Sequence, residues 1–440
     1  MTINNYKNPE ENKIDNNTNA GELSRNPLRM IRDAAVSIKG NARTCVFMEP
    51  LFVIPQTMYI SYMPLYMREL GLTMSQVGMV TSIGLAVNIF FALISAYVTD
   101  KFGRRYTSLI FDTIGWLGAQ LIWAFALNFH FFVAAAVVNA FGRIVMNSWY
   151  CLMLEDSAPA IRVHIFNFLQ IASILAGFFA PVGTLLISKM TLIPAMRAML
   201  LFSIVSMAAL FIFRHLCVTE TEVGAQKMRE AKGRSIWAVF KTYGPAMKRI
   251  FADRLLVIAL LLRSLNFIQL TIRNTFLAVL VTDHLGFEAG SMAVFHVFGS
   301  IITLLTLTLL TPFLSRITRR WPITLGIGFH IGATAVLLLA PPAQNYPLLV
   351  ISAILIALGT GISSPPIDAL AANAMVNEDR SIANAIVSVV ILLLSTPFGY
   401  IGGILSDIDT RLPFLLTLAI FLLCLALLHA ATTGEKRATD

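Results

Sequence analysis

Residues 75–105 read SQVGMVTSIGLAVNIFFALISAYVTDKFGRR, an apolar run without charge up to Thr99, followed by four charged residues in six positions. A helix rises about 1.5 Å per residue, so a run of this length crosses a hydrocarbon core of about 30 Å. The charged residues at its end indicate that the chain leaves the hydrocarbon core there and enters the aqueous phase. The segment therefore predicts a membrane-spanning helix that ends in a charged turn.

The rest of the 440-residue chain repeats this alternation. Charged residues make up 13% of the sequence, about half the ~25% found in soluble domains. The apolar runs predict an all-α membrane protein with six helices on each side of a central gap. We predict the twelve transmembrane helices at residues 44–67, 75–99, 107–127, 131–154, 165–188, 194–213, 255–281, 290–314, 322–340, 347–366, 382–405 and 412–430.

The distribution of Lys and Arg orients these helices, because basic loops stay on the cytoplasmic side. If the N-terminus is cytoplasmic, the inner segments hold 26 of the 33 basic residues and the outer loops hold four. We therefore expect a multi-pass plasma (inner) membrane protein with both termini cytoplasmic. The first 40 residues lack the apolar stretch of a signal peptide, so the first helix should direct insertion. The net charge of +9 then reflects topology and anionic lipid, and we expect no nucleic-acid partner.

These features divide the chain into five parts. The four cysteines are far apart in the sequence, and we expect no disulfide among them. The predicted parts are a polar cytoplasmic tail (1–43), a six-helix bundle (44–213), a central cytoplasmic loop with an amphipathic helix (214–254), a second six-helix bundle (255–430) and a cytoplasmic tail (431–440).

The two bundles resemble copies of one unit. An even number of helices gives both copies the same orientation, as in transporters whose substrate site lies near the midplane between repeats. The repeat therefore favours alternating access. The matches are Leu70-Gly71-Leu72 with Leu285-Gly286-Phe287 and Arg104-Arg105 with Arg319-Arg320 at an offset of 215, and Pro181 and Gly183 with Pro397 and Gly399 at 216.

The charged turn Asp100-Lys101-Phe102-Gly103-Arg104-Arg105 resembles the loop signature of the major facilitator superfamily between its second and third helices. This resemblance, which covers about 44–430, implies two pseudo-symmetric six-helix bundles and a gating role for the turn. The chain departs from the pattern at Ala96, where the family has glycine, and at Ser315, which replaces the acidic residue in the second copy. The alternative is that the arginines only anchor the loops on the positive side.

Two further segments resemble motifs of the same superfamily. Glu155 and Arg162 match the acidic-to-Arg spacing of its sugar porters, and Gly177, Pro181 and Gly183 resemble the antiporter motif of its drug exporters. The alternative for the glycines and prolines is kinking or close packing of helices. The resemblance implies that Glu155 or Asp156 pairs with the arginines of the charged turn. The resulting gating candidates are Asp100, Gly103, Arg104, Arg105, Glu155, Asp156, Arg162, Arg319, Arg320 and Arg380.

Charges inside the predicted helices are informative, because an unpaired charge in the bilayer is unfavourable. Glu49 lies in the first helix and Arg143 in the fourth, and the family resemblance places both helices beside the cavity. We hypothesise that Glu49 and Arg143 form a charge pair or a linked site, with Glu49 as the proton carrier. The alternative is that Glu49 lies close enough to the cytoplasmic surface to be solvated.

The seventh helix carries polar residues at three- and four-residue spacing, which places them on one stripe. They are Arg263, Asn266, Gln269, Arg273 and Asn274. Three arginines and a single clear glutamate lie well inside the predicted helices, so an anionic or sugar-like solute fits better than a cation. The further candidates for binding a polar solute are Gln56, Tyr59, Tyr62, Asn139 and Asn147.

These observations favour a secondary transporter. The chain has no G-x-x-x-x-G-K-[ST] phosphate loop, and no residue pattern typical of an enzyme or a metal site; His296 and His330 are interpreted as structural. We expect a monomer without a cofactor that moves a small organic solute, by proton-coupled export. The alternatives are a sugar or organic-anion uptake permease and a non-transporting membrane sensor with a transporter fold.

Overall fold

The described part of the chain is helical and contains no β-strand. A computed structural model describes residues 27–233, 236, 244–245, 247–248, 250–252, 254–310, 320–342, 345–373 and 380–439. Most of the predicted amphipathic segment of the central loop lies outside this part. The predicted all-α fold is confirmed.

The N-terminal half follows a short helix at Pro27–Ser37. A linker helix, Glu222–Glu230, comes after its last membrane helix. The six membrane helices are α1 (Gly40–Met48, Pro50–Tyr59, Ile60–Tyr62 and Met63–Glu69), α2 (Met74–Phe102), α3 (Arg104–Asp112, Thr113–Gly118 and Ala119–Ala124), α4 (Phe129–Asn139 and Gly142–Leu154), α5 (Pro159–Ala176, Gly177–Phe179 and Ala180–Met190) and α6 (Leu192–Cys217).

The described residues of the C-terminal half form six further helices. They are α7 (Arg254–Val279 and Leu280–His284), α8 (Ala289–Met292, Ala293–Leu305 and Thr306–Leu310), α9 (Arg320–Leu339), α10 (Tyr346–Asn373), α11 (Arg380–Ile408) and α12 (Leu412–Thr439).

Ten of these helices are long and apolar enough to cross a membrane. The other two predicted spans correspond to α1 and α3, whose helical runs are interrupted. In α1, Pro50 and Pro55 lack the backbone N–H that continues an α-helix, and a 3₁₀ turn follows at Ile60–Tyr62. In α3, a π-helical turn at Thr113–Gly118 interrupts the regular pattern.

The helix termini lie at two opposite ends of the molecule, here named the tail end and the far end. The tail end carries Phe102, Pro159 and Cys217, and the far end carries Glu69, His284 and Ile408. Under the predicted orientation, the tail end is cytoplasmic.

Glycine allows the two halves to approach closely between α2 and α11. A Cβ on Gly78 would lie 2.2 Å from the carbonyl oxygen of Gly399, and a Cβ on Gly403 would lie 2.4 Å from that of Met74. Such distances exclude a side chain, so these positions require glycine. The main cluster of buried apolar side chains also spans both halves, with Tyr66 on α1 and Phe276 on α7.

The loops at the far end have the same local shape in both halves. Gly71 has φ +88° and Gly286 has φ +71°, a left-handed conformation that favours glycine. These two residues are the ones matched by the offset of 215. The predicted equivalence of the two loops is therefore supported by their backbone geometry.

Candidate functional site

A central cavity of about 380 Å³ lies between the halves, within the size range of small-molecule sites. Helix α1 contributes Ile60 and Ser61, and the other walls come from α7, α8 and α10. The remaining lining residues are Arg273, Asn274, Leu277, Met292, Phe295, His296, Gly299, Thr303, Ala353, Ile356, Ala357 and Thr360. The cavity thus combines one arginine, several neutral polar groups and an apolar wall.

At the far end, charged groups join the two halves. Arg68 forms an ion pair with Asp283, the residue that occupies the equivalent position 215 residues later. The carboxylate of Asp407 on α11 accepts hydrogen bonds from the backbone N–H groups of Met74 (2.8 Å) and Ser75 (2.9 Å) at the start of α2. A negative charge at a helix N-terminus is favourable, so Asp407 stabilises the closed arrangement of this end.

Further hydrogen bonds join the halves between the cavity and the far end. Ser82 donates to the carbonyl oxygen of Thr396 (2.5 Å) and accepts from the N–H of Tyr400 (2.8 Å). Beside the cavity, the Ser61 hydroxyl and His296 Nε2 are 2.5 Å apart. The far end of the molecule is therefore held closed by contacts between α1 and α7 and between α2 and α11, and a contact between α1 and α8 lies beside the cavity.

At the tail end, the predicted gating turn lies in an ion network. The buried Arg104 donates from Nε to both oxygens of Glu155 (3.2 Å each) and from Nη2 to Oε1 (3.0 Å). Its Nη1 also lies 3.0 Å from Asp100, one turn earlier, without a well-aligned hydrogen bond. Of the two predicted acidic partners, Glu155 therefore contacts Arg104. Asp156 is exposed, and desolvation together with the negative charge of Glu155 raises its pKa.

The segment after α6 forms hydrogen bonds with the same turn and with Glu155. Glu220 accepts the backbone N–H groups of Arg104 (2.9 Å) and Arg105 (3.0 Å), and thus caps the N-terminus of α3. Thr221 donates to Glu155 and also caps the linker helix by accepting the N–H of Gly224 (2.9 Å). A Cβ at Gly103, which has φ +80°, would lie 2.6 Å from Glu220 Oε2, so this turn requires glycine.

A buried ion pair joins α3 and α6 near the tail end. Asp112 and Arg214 are 3% and 5% exposed, and their side chains contact each other directly. The predicted helices therefore hold a second acidic residue, Asp112, besides the glutamate that was weighed against the arginines. Helix α6 also extends beyond its predicted end at 213, since Arg214 finds its partner inside the bundle.

Glu49 belongs to the neighbourhood of this pair. Its half-buried carboxylate interacts electrostatically with Arg214 and Asp112. Tyr150 interacts electrostatically with both Glu49 and Arg143, so it is a candidate link between these two residues. Both residues lie away from the central cavity, in the N-terminal bundle.

Most of the remaining polar candidates are bonded within their own half. Tyr59 accepts a hydrogen bond from Gln120 (3.2 Å), and the Tyr62 hydroxyl bonds Thr184 (3.0 Å). Asn139 donates to the carbonyl oxygen of Gly115 (3.1 Å). None of these residues is among the described lining of the central cavity. Gln56 and Asn147 are half-buried.

The polar stripe of α7 reaches the cavity only in part. Arg273 and Asn274 line it, whereas Gln269 is buried and donates to Asn266 (3.1 Å). Arg263 is half-buried. Among the gating candidates, Arg162 donates to the carbonyl oxygen of Ser157 (3.2 Å). Arg320 is exposed and its guanidinium lies 5.9 Å from the ring centre of Trp321, and Arg319 and the side chain of Arg380 lie outside the described residues.

Several residues of the site could not be identified from the sequence alone. Ser61 and His296 are single polar residues on apolar helices, and only the packing of α1 against α8 shows that they meet in the cavity wall. Asp407 and Glu220 act through backbone N–H groups more than 100 positions away. No local pattern predicts such contacts.

Two helical halves around a central polar cavity, closed at one end, define a membrane transporter built from two repeats. The family model of the Major Facilitator Superfamily matches residues 51–391, and the chain belongs to this family. The predicted family, multi-pass membrane fold and transporter class are confirmed.

Solved structures with the same fold carry several kinds of solute. A nucleoside transporter, NupG, has a TM-score of 0.69 at 16% identity, covering 89% of this chain and 99% of its own. A POT family transporter in complex with a thioalcohol-conjugated peptide has a TM-score of 0.67 at 11% identity (92% and 100%). The human organic anion transporter MFSD10 (TETRAN) has a TM-score of 0.57 at 12% identity (92% and 100%). At these identities the likeness shows the fold alone, and a comparison with curated proteins found no match.

Proposed function

We propose that this protein is a secondary active transporter that moves a small organic solute across the plasma membrane by alternating access, as a proton-coupled exporter. The observation that carries the proposal is the central cavity between the halves, together with the hydrogen bonds and the ion pair that close its far end. A transporter of this class must open that end at another stage of its cycle. The far-end contacts are then the gate.

The ion pair Arg68–Asp283 supports this gating role. The two residues occupy equivalent positions of the repeat and lie on opposite halves, so a rocking motion of one half against the other separates them. Both side chains are partly exposed, and an exposed pair contributes little to stability. A weak contact of this kind can break and re-form in each cycle.

Covalent locking of the far end tests alternating access. Ser75 and Asp407 contact each other and are accessible, so Ser75→Cys with Asp407→Cys can form a disulfide in a chain whose four cysteines are replaced by serine. We expect oxidation to reduce transport in proteoliposomes to background and reduction to restore it. Ser75→Cys alone is the matched control. Unchanged transport by the oxidised double variant would contradict the proposal.

The proposal of proton-coupled export depends on Glu49. This acidic residue is half-buried beside a second carboxylate and an arginine. Such a group in a membrane helix is a candidate proton carrier. In inverted vesicles with an acidic lumen, we expect solute to accumulate with the wild type and not with Glu49→Gln. Glu69→Gln, at the exposed end of the same helix, is the control. Accumulation by Glu49→Gln that still follows the pH gradient would exclude this carrier.

The same vesicles separate the alternatives. Accumulation only in right-side-out vesicles identifies a sugar or organic-anion uptake permease. Binding of a solute without movement in either direction identifies a sensor with a transporter fold. We also propose that both termini are cytoplasmic and that the monomer is the working unit, because the cavity is formed within one chain.

A further inference from the structure

Arg273 is the one charged side chain among the described residues that line the central cavity, apart from the titratable His296. No carboxylate is among those residues. A cavity with one cation and no anion is electrostatically incomplete, because an ionised group held away from water requires a counter-charge.

The guanidinium of Arg273 is also incompletely bonded. Its Nη1 is buried without a hydrogen-bond partner among the described residues, although the residue as a whole is half-buried and borders the cavity. Removing a guanidinium nitrogen from water without a partner is strongly unfavourable. Groups of this kind in membrane helices mark the path of a substrate rather than the stability of the fold.

Arg273 also borders a second and much smaller space. This space of about 10 Å³ is bounded by His330 and Gln269 and holds at most one water molecule. His330 stacks on Phe421, with ring centres 5.2 Å apart and an angle of 6°. Of these two spaces, only the central cavity is large enough to hold an organic ligand.

Other cavity residues define the rest of the ligand. Asn274, next to Arg273, is exposed to the cavity and can donate a hydrogen bond, and Ser61 offers a hydroxyl from the opposite half. Phe295 and Ile356 form an apolar wall. A volume of about 380 Å³ exceeds that of an inorganic ion and suits a small organic molecule.

We propose that the solute is an organic anion whose carboxylate or phosphate pairs with Arg273 in the central cavity. This inference rests on the proposed transport function and names its substrate class. The planar guanidinium binds carboxylate and phosphate through two parallel hydrogen bonds, which an ammonium cannot reproduce. Binding of the anion neutralises the positive charge in the cavity and supplies hydrogen-bond acceptors for the N–H groups of Arg273.

Thermal unfolding of the purified full-length protein tests the proposal with matched probes. The pairs are benzoate and benzamide, glucose 6-phosphate and glucose, and uridine monophosphate and uridine. We expect at least one anion, and none of its neutral partners, to raise the Tm of the wild type. In Arg273→Gln its apparent affinity should fall at least about 30-fold, and Arg273→Lys should restore it only in part. Arg411→Gln, in an exposed loop, is the matched control.

A second readout needs no ligand. If Arg273 is an uncompensated charge kept for binding, Arg273→Gln should raise the Tm of the ligand-free protein by about 1–4 °C. A lower Tm would show that the arginine is structural and would overturn the proposal, as would the absence of stabilisation by every anion. Equal stabilisation by neutral partners, with transport intact in Arg273→Gln, would overturn the substrate class and leave the transport function standing. Loss of transport for all solutes, with anion binding intact, would overturn the transport function alone.

Discussion

In the N-terminal half the two fully buried arginines, Arg104 and Arg214, meet carboxylates of the same half, whereas Arg273 of the C-terminal half lines the central cavity and its Nη1 has no hydrogen-bond partner among the described residues. Arg214 pairs with Asp112 between α3 and α6, and Arg104 pairs with Glu155 at the tail end. Charges that are paired within one bundle hold that bundle together. Under the proposal made above, the charge of Arg273 is available to a ligand, and the two halves then divide structure and recognition between them.

The largest expected effect is at the paired charge of the N-terminal half. Asp112→Asn leaves Arg214 buried without its counter-ion, which should lower the free energy of unfolding by about 3–5 kcal/mol. The variant should therefore show a clearly lower Tm in detergent. The double variant Asp112→Asn with Arg214→Gln should recover much of the loss, because it removes the buried charge altogether. If Asp112→Asn were as stable as the wild type, Arg214 would not need its counter-ion, and the contrast between the paired Arg214 and Arg273, which has no ion pair among the described residues, would be lost.

A smaller effect is expected at the tail-end network. Glu155→Gln removes the negative charge that accepts from Arg104, and should lower the free energy of unfolding by about 1.5–3 kcal/mol. Asp156→Asn, one residue further and exposed, should stay within about 0.5 kcal/mol of the wild type. Equal Tm values for Glu155→Gln and Asp156→Asn would show that the arginines of this turn are solvated, positive-side anchors and that their ion pairs do not stabilise the fold.

The smallest effect on stability is expected at the far end. Arg68→Asp should change the free energy of unfolding by less than ~1 kcal/mol, since the pair is partly exposed. It should nevertheless open the gate, because two acidic residues then face each other. A Ser75→Cys reporter should react faster with a polar thiol reagent in Arg68→Asp, and return to its original rate when Asp283→Arg is added. Equal rates in all variants would exclude this pair from the gate.

The sequence predicted the helices and the repeat well, because both depend on local properties. The apolar runs placed α2 and α11 close to their observed bounds, and the match of Gly71 with Gly286 is reflected in two left-handed backbone turns. The family resemblance left Glu155 and Asp156 open as partners for the arginines of the turn, and the structure places Glu155 on Arg104. Arg214 was assigned to the central loop instead, because hydropathy alone cannot show that a charge is paired inside a bundle.

The candidate site was less predictable. Arg273 and Asn274 lie in the cavity as the helical spacing of α7 indicated, but Tyr59 and Tyr62 bond partners inside the N-terminal half. The rotation of α1 about its axis decides which of its polar residues face the cavity. That rotation depends on packing against α6 and α8, which the spacing of residues along α1 does not encode.

The amino-acid sequence by itself determined that this chain is a two-repeat helical membrane protein with a charged turn between α2 and α3. Hydrophobicity, the positive-inside bias and glycine turns act over a few residues, so they can be recognised without a fold. Only the tertiary structure decided which charges meet. Asp112 joins Arg214 across 102 positions and Arg68 joins Asp283 across 215, while Arg273 has no described ion-pair partner. Pairing depends on how distant helices are rotated and packed, and that is a property of the whole molecule.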